Sequence, residues 1–309
     1  MTFIKRFVAL GLALLIQACA TGPKYTPMTQ QTLDSIGSLE SYNLVIQDEV
    51  TPAVELSNVS GALGGGLIAA AIDSSVNDGR ATTSRDTIQP LYNEISDLDY
   101  RALIVEELNP VLIEDFNLSN PNERAEAVIL KDKEITAKIS RLKPGEAFLF
   151  LTNFYQFREQ FQMLQTSTTA FLYLANSEKP SVNKPDYHNT VIYQSELVGS
   201  GGAASVAEWA KDDAKLFREK IARSVQASKD MLRYDMRPIV NEKCEFGAQV
   251  EIPNILNTQK IKGHVLKQVD HETLIRNVHG GLYTVSNASV KKTKVKTCKA
   301  LGSIENESI

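Results

Sequence analysis

Three of the four histidines, His264, His271 and His279, lie within one short stretch, next to Asp270 and Glu272. Imidazole and carboxylate groups bind zinc, so this stretch is the first place to look for metal chemistry. A zinc site needs three or four ligands that converge on one point, and these spacings match no compact ligand pattern. We therefore expect exposed histidines on strands and turns, with no metal and no cofactor.

A glycine-rich loop, Gly199–Gly202, precedes a helical pattern, which is a common position for bound phosphate. A phosphate loop also needs a Gly-Lys-Ser/Thr end, and the first lysine after this loop is Lys211. Ser200 does not fit the Gly-x-Ser-x-Gly pattern of a nucleophile elbow either. The loop is therefore predicted to be a flexible connector.

Glu208, Asp212 and Asp213 are acidic residues on the same predicted helix. Adjacent helical positions point about 100° apart, so neighbouring carboxylates do not face one substrate. We expect a solvated, charged helix face. The sequence brings together no nucleophile, base and orienting group, and the protein is predicted not to be an enzyme.

Lys292, Lys294 and Lys296 alternate near the end of the chain and would share one face of a strand. They could contact lipid phosphates or an acidic partner. Lysines on a final strand more often prevent a sheet edge from pairing with another chain, and this interpretation is favoured.

The first residues have the pattern of a secretory signal. Lys5 and Arg6 precede the apolar residues 7–16, a run shorter than the about 20 residues of a spanning helix. Ile16-Gln17-Ala18-Cys19 then resembles the lipobox of bacterial lipoproteins. The resemblance implies that residues 1–18 are removed and that Cys19 carries diacylglycerol and usually an amide-linked acyl chain. The alternative is an ordinary signal with a chance cysteine.

Two or three acyl chains anchor a protein stably, whereas one does so marginally. Ala20 stands where enteric lipoproteins that stay at the inner membrane have Asp, which implies the outer membrane, facing the periplasm. Loss of Lys5 and Arg6 lowers the formal net charge from −4 to about −6. A mildly acidic protein is a poor nucleic-acid binder. We expect as partners the membrane, through the lipid, and an envelope protein, but no nucleic acid.

With Cys19 lipidated, Cys244 and Cys298 form an even pair in an oxidising compartment. We predict a disulfide that closes residues 244–298, worth about 4 kcal/mol in the chain-entropy model. Two free thiols are the alternative.

Gly61, Gly65 and Ala69 fall four residues apart in an apolar segment, a spacing that lets helix backbones approach closely. The segment is predicted to be a buried helix. An oligomer contact or a membrane-inserting segment is the alternative.

Periodicity predicts the remaining elements. Strands are expected at Tyr42–Ile46 and in three runs between residues 147 and 193, and helices are expected from Asp86, from Asp99, over 125–139 and over 206–232. Five short β runs follow after Pro238.

The predicted fold is α+β: a two-layer α/β sandwich followed by a small SH3-like β-barrel. The predicted boundaries are a signal peptide (1–18), a flexible tether (19–38), the α/β domain (39–237), the barrel with its disulfide (238–300) and a tail (301–309).

The mature chain also resembles proteobacterial envelope lipoproteins in Ala207–Asp213 and in Gly280–Tyr283, a resemblance that implies no activity. The function expected is a lipid-anchored, non-enzymatic accessory protein that docks to another envelope component. The alternative is a self-assembling or pore-associated structural lipoprotein that uses the Gly61–Ala69 helix.

Overall fold

The computed structural model describes residues 25–51, 78–158, 160–175, 181–238, 246–252 and 259–292. Cys19, Cys244, Cys298, the Gly61–Ala69 segment, Lys294 and Lys296 lie outside the described residues. The elements are α1 (Gln30–Asp34), β1 (Ser38–Val45), α2 (Asp78–Glu94), α3 (Tyr100–Phe116), α4 (Asp132–Ile139), β2 (Glu146–Arg158), β3 (Met163–Leu174), β4 (Tyr187–Gln194), α5 (Gly202–Asp235), β5 (Phe246–Ile252), β6 (Gln259–Val269), β7 (Glu272–Asn277), β8 (Leu282–Ser286), a 3₁₀ turn (Asn287–Ser289) and β9 (Val290–Lys292).

The described strands form one open, nine-stranded mixed sheet in the order β1-β2-β3-β4-β8-β7-β6-β5-β9. Strands β1 and β2 are parallel, as are β4 and β8, and the other neighbours are antiparallel. We call the end at which β1, β2, β4 and β8 begin the lower end, and the opposite end the upper end.

Strand β2 explains why the centre of the sheet is buried on both faces. Its uninterrupted apolar run, residues 147–151, is typical of a strand that is covered on both faces. Leu149 and Leu151 join the main core, whereas Phe148 and Phe150 lie in a second cluster on the other face. Because successive strand residues point to opposite faces, one run supplies both cores.

Helices cover the two faces unequally. The main core contains the apolar sides of α2, α3 and α5, whereas Ile135 and Ile139 of α4 pack on Phe148 and Phe150 across the sheet. The predicted combination of helices with a sheet is therefore confirmed at the level of a mixed α/β fold. The predicted single helical layer is incomplete, because α4 occupies the opposite face.

Two helix boundaries differ from the sequence prediction. Asp86 was expected to cap a helix, but α2 already begins at Asp78. The helix expected over 125–139 is only α4, because Glu126 bonds to the backbone of Asn43 and so extends the chain beside β1. Asp99 was placed correctly at the N-terminus of α3, where its carboxylate accepts the N–H of Ala102 at 3.1 Å.

The packed chain begins earlier than the predicted end of the tether at residue 38. Thr26 exchanges backbone hydrogen bonds with His188 of β4, and Met28 is buried. The five-residue helix α1 follows, capped by the side chain of Thr29. A helix of one turn is too short to give a periodic pattern, so the polar composition concealed it.

The five strands expected after Pro238 are all present among the described residues, from β5 to β9. They share a small core of Val250, Val265, Ile275 and Val285. Parallel pairing of β8 with β4 joins this half to the first, with Val191 opposite Leu282. The sheet has β1 and β9 at its edges, so closure of the last five strands into a barrel stays a prediction.

A fully buried ion pair lies where the two halves meet. Arg276 of β7 donates to Asp235, the last residue of α5, at 2.6 Å, and both side chains are inaccessible to solvent. Tyr187 and Asn189 of β4 donate to the other carboxylate oxygen at 2.7 and 2.6 Å. Gly280 accepts from Arg276 at 2.9 Å. We call these five residues the Asp235 cluster.

Gly280 belongs to the cluster for a steric reason. Its φ is +94°, and a Cβ at this position would lie 2.3 Å from the ring of Tyr25. The same ring lies 5.8 Å from the Arg276 guanidinium, as does that of Tyr234. The residue at the start of the packed chain is thereby held against the β7–β8 turn.

Replacement of Asp235 by Asn should lower the free energy of unfolding by about 3–5 kcal/mol, because it leaves the Arg276 charge buried without a carboxylate. Urea unfolding of the mature chain with Cys19 replaced by Ser measures this. Glu272→Gln is the matched control, since it removes the partly exposed pair with Arg223 and should cost about 0–1 kcal/mol. Equal losses in the two variants would contradict a special role for the buried pair.

Candidate functional site

The loop Gly199–Gly202 is not arranged to receive an anion. The N–H of Gly201 donates to the hydroxyl of Ser205 at 2.9 Å, and the N–H of Gly202 donates to the carbonyl of Gln160 at 2.7 Å. A Cβ on Gly199 would lie 2.7 Å from the same hydroxyl. Because the N–H groups of Gly201 and Gly202 already have acceptors within the protein, they are not available to bind a phosphate.

The histidines of the second half do not come together. His264 lies in β6, whereas His271 and His279 are exposed in the β6–β7 and β7–β8 turns. In the ranges that the structure describes, no three His, Cys, Asp or Glu side chains are placed to hold a metal ion. Among the helices of the same ranges, none is long and apolar enough to span a membrane.

Strand β9 lies at the edge of the sheet, next to β5, with the backbone of Lys292 in register with Ala248. An edge position is what the favoured interpretation of the predicted lysine cluster requires. Lys294 and Lys296 fall outside the described residues, so the interpretation stays a prediction.

The candidate site is a polar cleft of about 280 Å³ at the upper end of the sheet. Its volume is just below the range of about 300–1,000 Å³ that is usual for small-molecule pockets. The cleft lies between the end of β1, the α2–α3 loop and β2. Its lining residues are Gln47, Asp48, Ser96, Asp97, Leu98, Asp99, Tyr100, Arg101, Arg124 and Tyr155.

Two stacked tyrosines form the inner part of the cleft. The rings of Tyr100 and Tyr155 are 4.1 Å apart, and the Gln47 side chain donates to the Tyr155 carbonyl at 3.0 Å. Burial raises the pKa of both tyrosine hydroxyls above their ordinary value. At neutral pH the two phenols are therefore protonated and cannot act as bases.

Arg101 closes the end of β1. Its guanidinium donates to the carbonyls of Val45 and Ile46 at 2.9 and 3.2 Å and pairs with Asp48 at 2.7 Å. Arg101 is buried, whereas the Asp48 side chain is 83 % exposed. The strand end is thus fixed by a buried cation, and its counter-ion projects from the rim of the cleft.

Two further ion pairs form the outer wall. Arg124 contacts the helix-capping Asp99 at 2.7 Å. Arg218 of α5 binds both carboxylate oxygens of Asp97, at 2.7 and 3.1 Å. The hydrogen bond from Arg218 lowers the pKa of Asp97, so this side chain is a carboxylate at neutral pH.

Helix α5 is broken beside this wall, at Lys211–Ala214. Asp212, Asp213 and Ala214 all have left-handed backbone conformations, with φ of +53°, +59° and +52°. The Arg218 guanidinium that binds Asp97 also donates to the carbonyl of Asp213 at 2.9 Å. The continuous helix predicted from periodicity is therefore wrong at this point, although the apolar stripe persists on both sides of the break.

The chemistry available in the cleft is binding by charge and hydrogen bonding. Its lining holds carboxylates and guanidinium groups that are already paired, and protonated phenols. The cleft could not be predicted from the sequence, because its residues come from segments that are far apart in the chain.

No protein-family model, curated protein or solved structure matches the chain. The two resemblances to lipoproteins therefore stay predictions from the residues.

Replacement of Asp212 by Gly should raise the free energy of unfolding by about 1 kcal/mol, because glycine adopts the left-handed conformation without a steric penalty. Asp230→Gly is the control: this exposed position lies in the regular part of α5, where glycine should cost about 1 kcal/mol. Urea unfolding compares the two variants. A loss of stability in both would show that the break at Lys211–Ala214 is absent in solution.

Proposed function

We propose that the protein is a lipid-anchored accessory protein of the bacterial outer membrane, without enzymatic activity, that docks to another envelope component through the polar cleft. The open, fully ion-paired cleft at the upper end is the observation that supports docking. Lipidation is supported by the lipobox resemblance at Cys19.

The charges of the cleft indicate the chemistry of the partner. Three carboxylates and the Arg124 guanidinium lie on the rim, and the Asp97 side chain is 71 % exposed. Paired charges of both signs favour a polar chain segment that carries its own charges over an apolar anchor. The lipid confines the search for such a partner to the membrane surface, which raises the effective concentration.

We also propose that β5–β9 curl into the small SH3-like barrel predicted for residues 238–300. Strand β9 pairs back on β5, which therefore lies between β6 and β9. A register shift between Val265 and Lys267 bends β6, and a 3₁₀ turn redirects the chain between β8 and β9. Bulges and sharp turns of this kind are how short strands close on themselves.

Replacement of Cys19 by Ser should release the protein from the membrane fraction, because the serine hydroxyl cannot receive the thioether-linked diacylglycerol. Fractionation of cells that express each form measures this. Ala20→Ser is the control and should leave the protein in the membrane. Sedimentation of the Cys19→Ser form with membranes would contradict the lipid anchor.

A photo-crosslinking residue placed at Asp48 should give one discrete protein adduct in intact cells, because this side chain projects from the rim of the cleft. A charge reversal at Arg124 should abolish the adduct. The control position is Ile113, which is 48 % exposed and lies about 18 Å further along α3 than Arg101. Equal adducts from Asp48 and Ile113, or an adduct that survives Arg124→Glu, would contradict docking through the cleft.

A further inference from the structure

The packed chain begins close to the predicted lipid. Tyr25 is six residues after Cys19, and a fully extended chain of that length spans about 20 Å. Tyr25 itself is fixed, because its ring lies over Arg276 and against Gly280. The surface around Tyr25 therefore cannot be far from the membrane if Cys19 carries lipid.

This surface lies at the lower end of the molecule. Gly280 precedes β8, and Thr26 bonds to His188 near the start of β4. The cleft lies at the other end, beside Tyr155 in the last third of β2. Tyr155 lies nine positions after Glu146, the first residue of β2. At the rise of an extended strand, this corresponds to about 30 Å.

Two exposed side chains at this lower end have the chemistry of a membrane interface. Tyr234 at the end of α5 is 39 % exposed, and Val278 in the β7–β8 turn is 55 % exposed. Tyrosine is favoured where one end of the side chain is in an apolar medium and the other is in water, as among lipid headgroups. We call Tyr25, Tyr234 and Val278 the Tyr25 patch.

We propose that the Tyr25 patch rests on the bilayer to which Cys19 is anchored, so that the polar cleft points away from the membrane. The proposal rests on the lipid anchor of the proposed function and adds to it a fixed orientation of the body. The short connection to Cys19 brings the patch to the surface, and the exposed tyrosine and valine contact the headgroup region.

The test uses brominated phospholipids, which quench tryptophan fluorescence at short range. Lipidated protein is purified from membranes, bound to phosphatidylcholine vesicles with and without bromine, and floated to select the bound fraction. The single native tryptophan, Trp209, is buried beside Phe161 and gives a constant background. One additional tryptophan is introduced at Val278, in the patch, or at Leu197, which is 48 % exposed beyond the upper end of β4.

We expect Val278→Trp to lose emission in brominated vesicles, and Leu197→Trp to behave as the wild type does. Equal quenching at both positions, or no quenching at Val278 in protein that floats with the vesicles, would overturn the orientation and leave the anchor intact. Failure of the protein to float would overturn the anchor and the orientation together. The cleft's role in docking is tested independently, by the crosslink from Asp48.

Discussion

The buried pair of Asp235 and Arg276 is the interaction on which the joint between the two halves depends. Removing a carboxylate and a guanidinium from water costs several kcal/mol for each ion, and only well-placed partners offset that cost. Here the partners come from different elements: β4 supplies Tyr187 and Asn189, and the β7–β8 turn supplies the carbonyl of Gly280. The charges of Asp235 and Arg276 are compensated only when α5, β4, β7 and the β7–β8 turn are all in place. The pair therefore specifies one arrangement of the two halves.

Helix packing also holds the two ends of the molecule in a fixed relation to each other. Helices α3 and α5 both run from the upper to the lower end. Ion pairs join α5 to the α2–α3 loop through Arg218–Asp97 and to α3 through Lys229–Glu107 and Arg233–Asp115. Each of these pairs is partly exposed and contributes little to stability alone. Together with the apolar core between the helices and the sheet, they make the cleft and the Tyr25 patch opposite ends of the same packed body.

The sequence predicted those elements whose apolar patterns are long. Strands β2 to β4 and the apolar stripe of α5 were placed correctly, because burial imposes a period that survives local variation. Short or non-periodic features were missed: the single turn of α1, the extended chain at Glu126, and the left-handed break at Asp212–Ala214. The patterns contain no information on which strands far apart in the chain are neighbours, so the parallel pairing of β4 with β8 could not be foreseen.

The cleft was missed for a related reason. Among its charged residues, the sequence predicted only that a helix starts at Asp99, and no pattern marks the others. Arg101 is the clearest case, because it is buried and a guanidinium is almost never buried without partners. Its position in the first turn of a helix gives no sequence pattern that distinguishes it from an exposed arginine.

The pairing of β4 with β8 has a consequence for how the chain folds if it is exported as proposed. Val191 and Leu282 are in register although about 90 residues separate them, and such long-range contacts form slowly. A chain that crossed a membrane from its N-terminus, as the proposed lipoprotein would, would deliver β4 well before β8. Among the described residues that precede β8, Thr26 pairs with this edge of β4, at His188, and an uncovered strand edge is a template for aggregation. In the proposed exported form, β4 would therefore need protection from aggregation until β8 arrives.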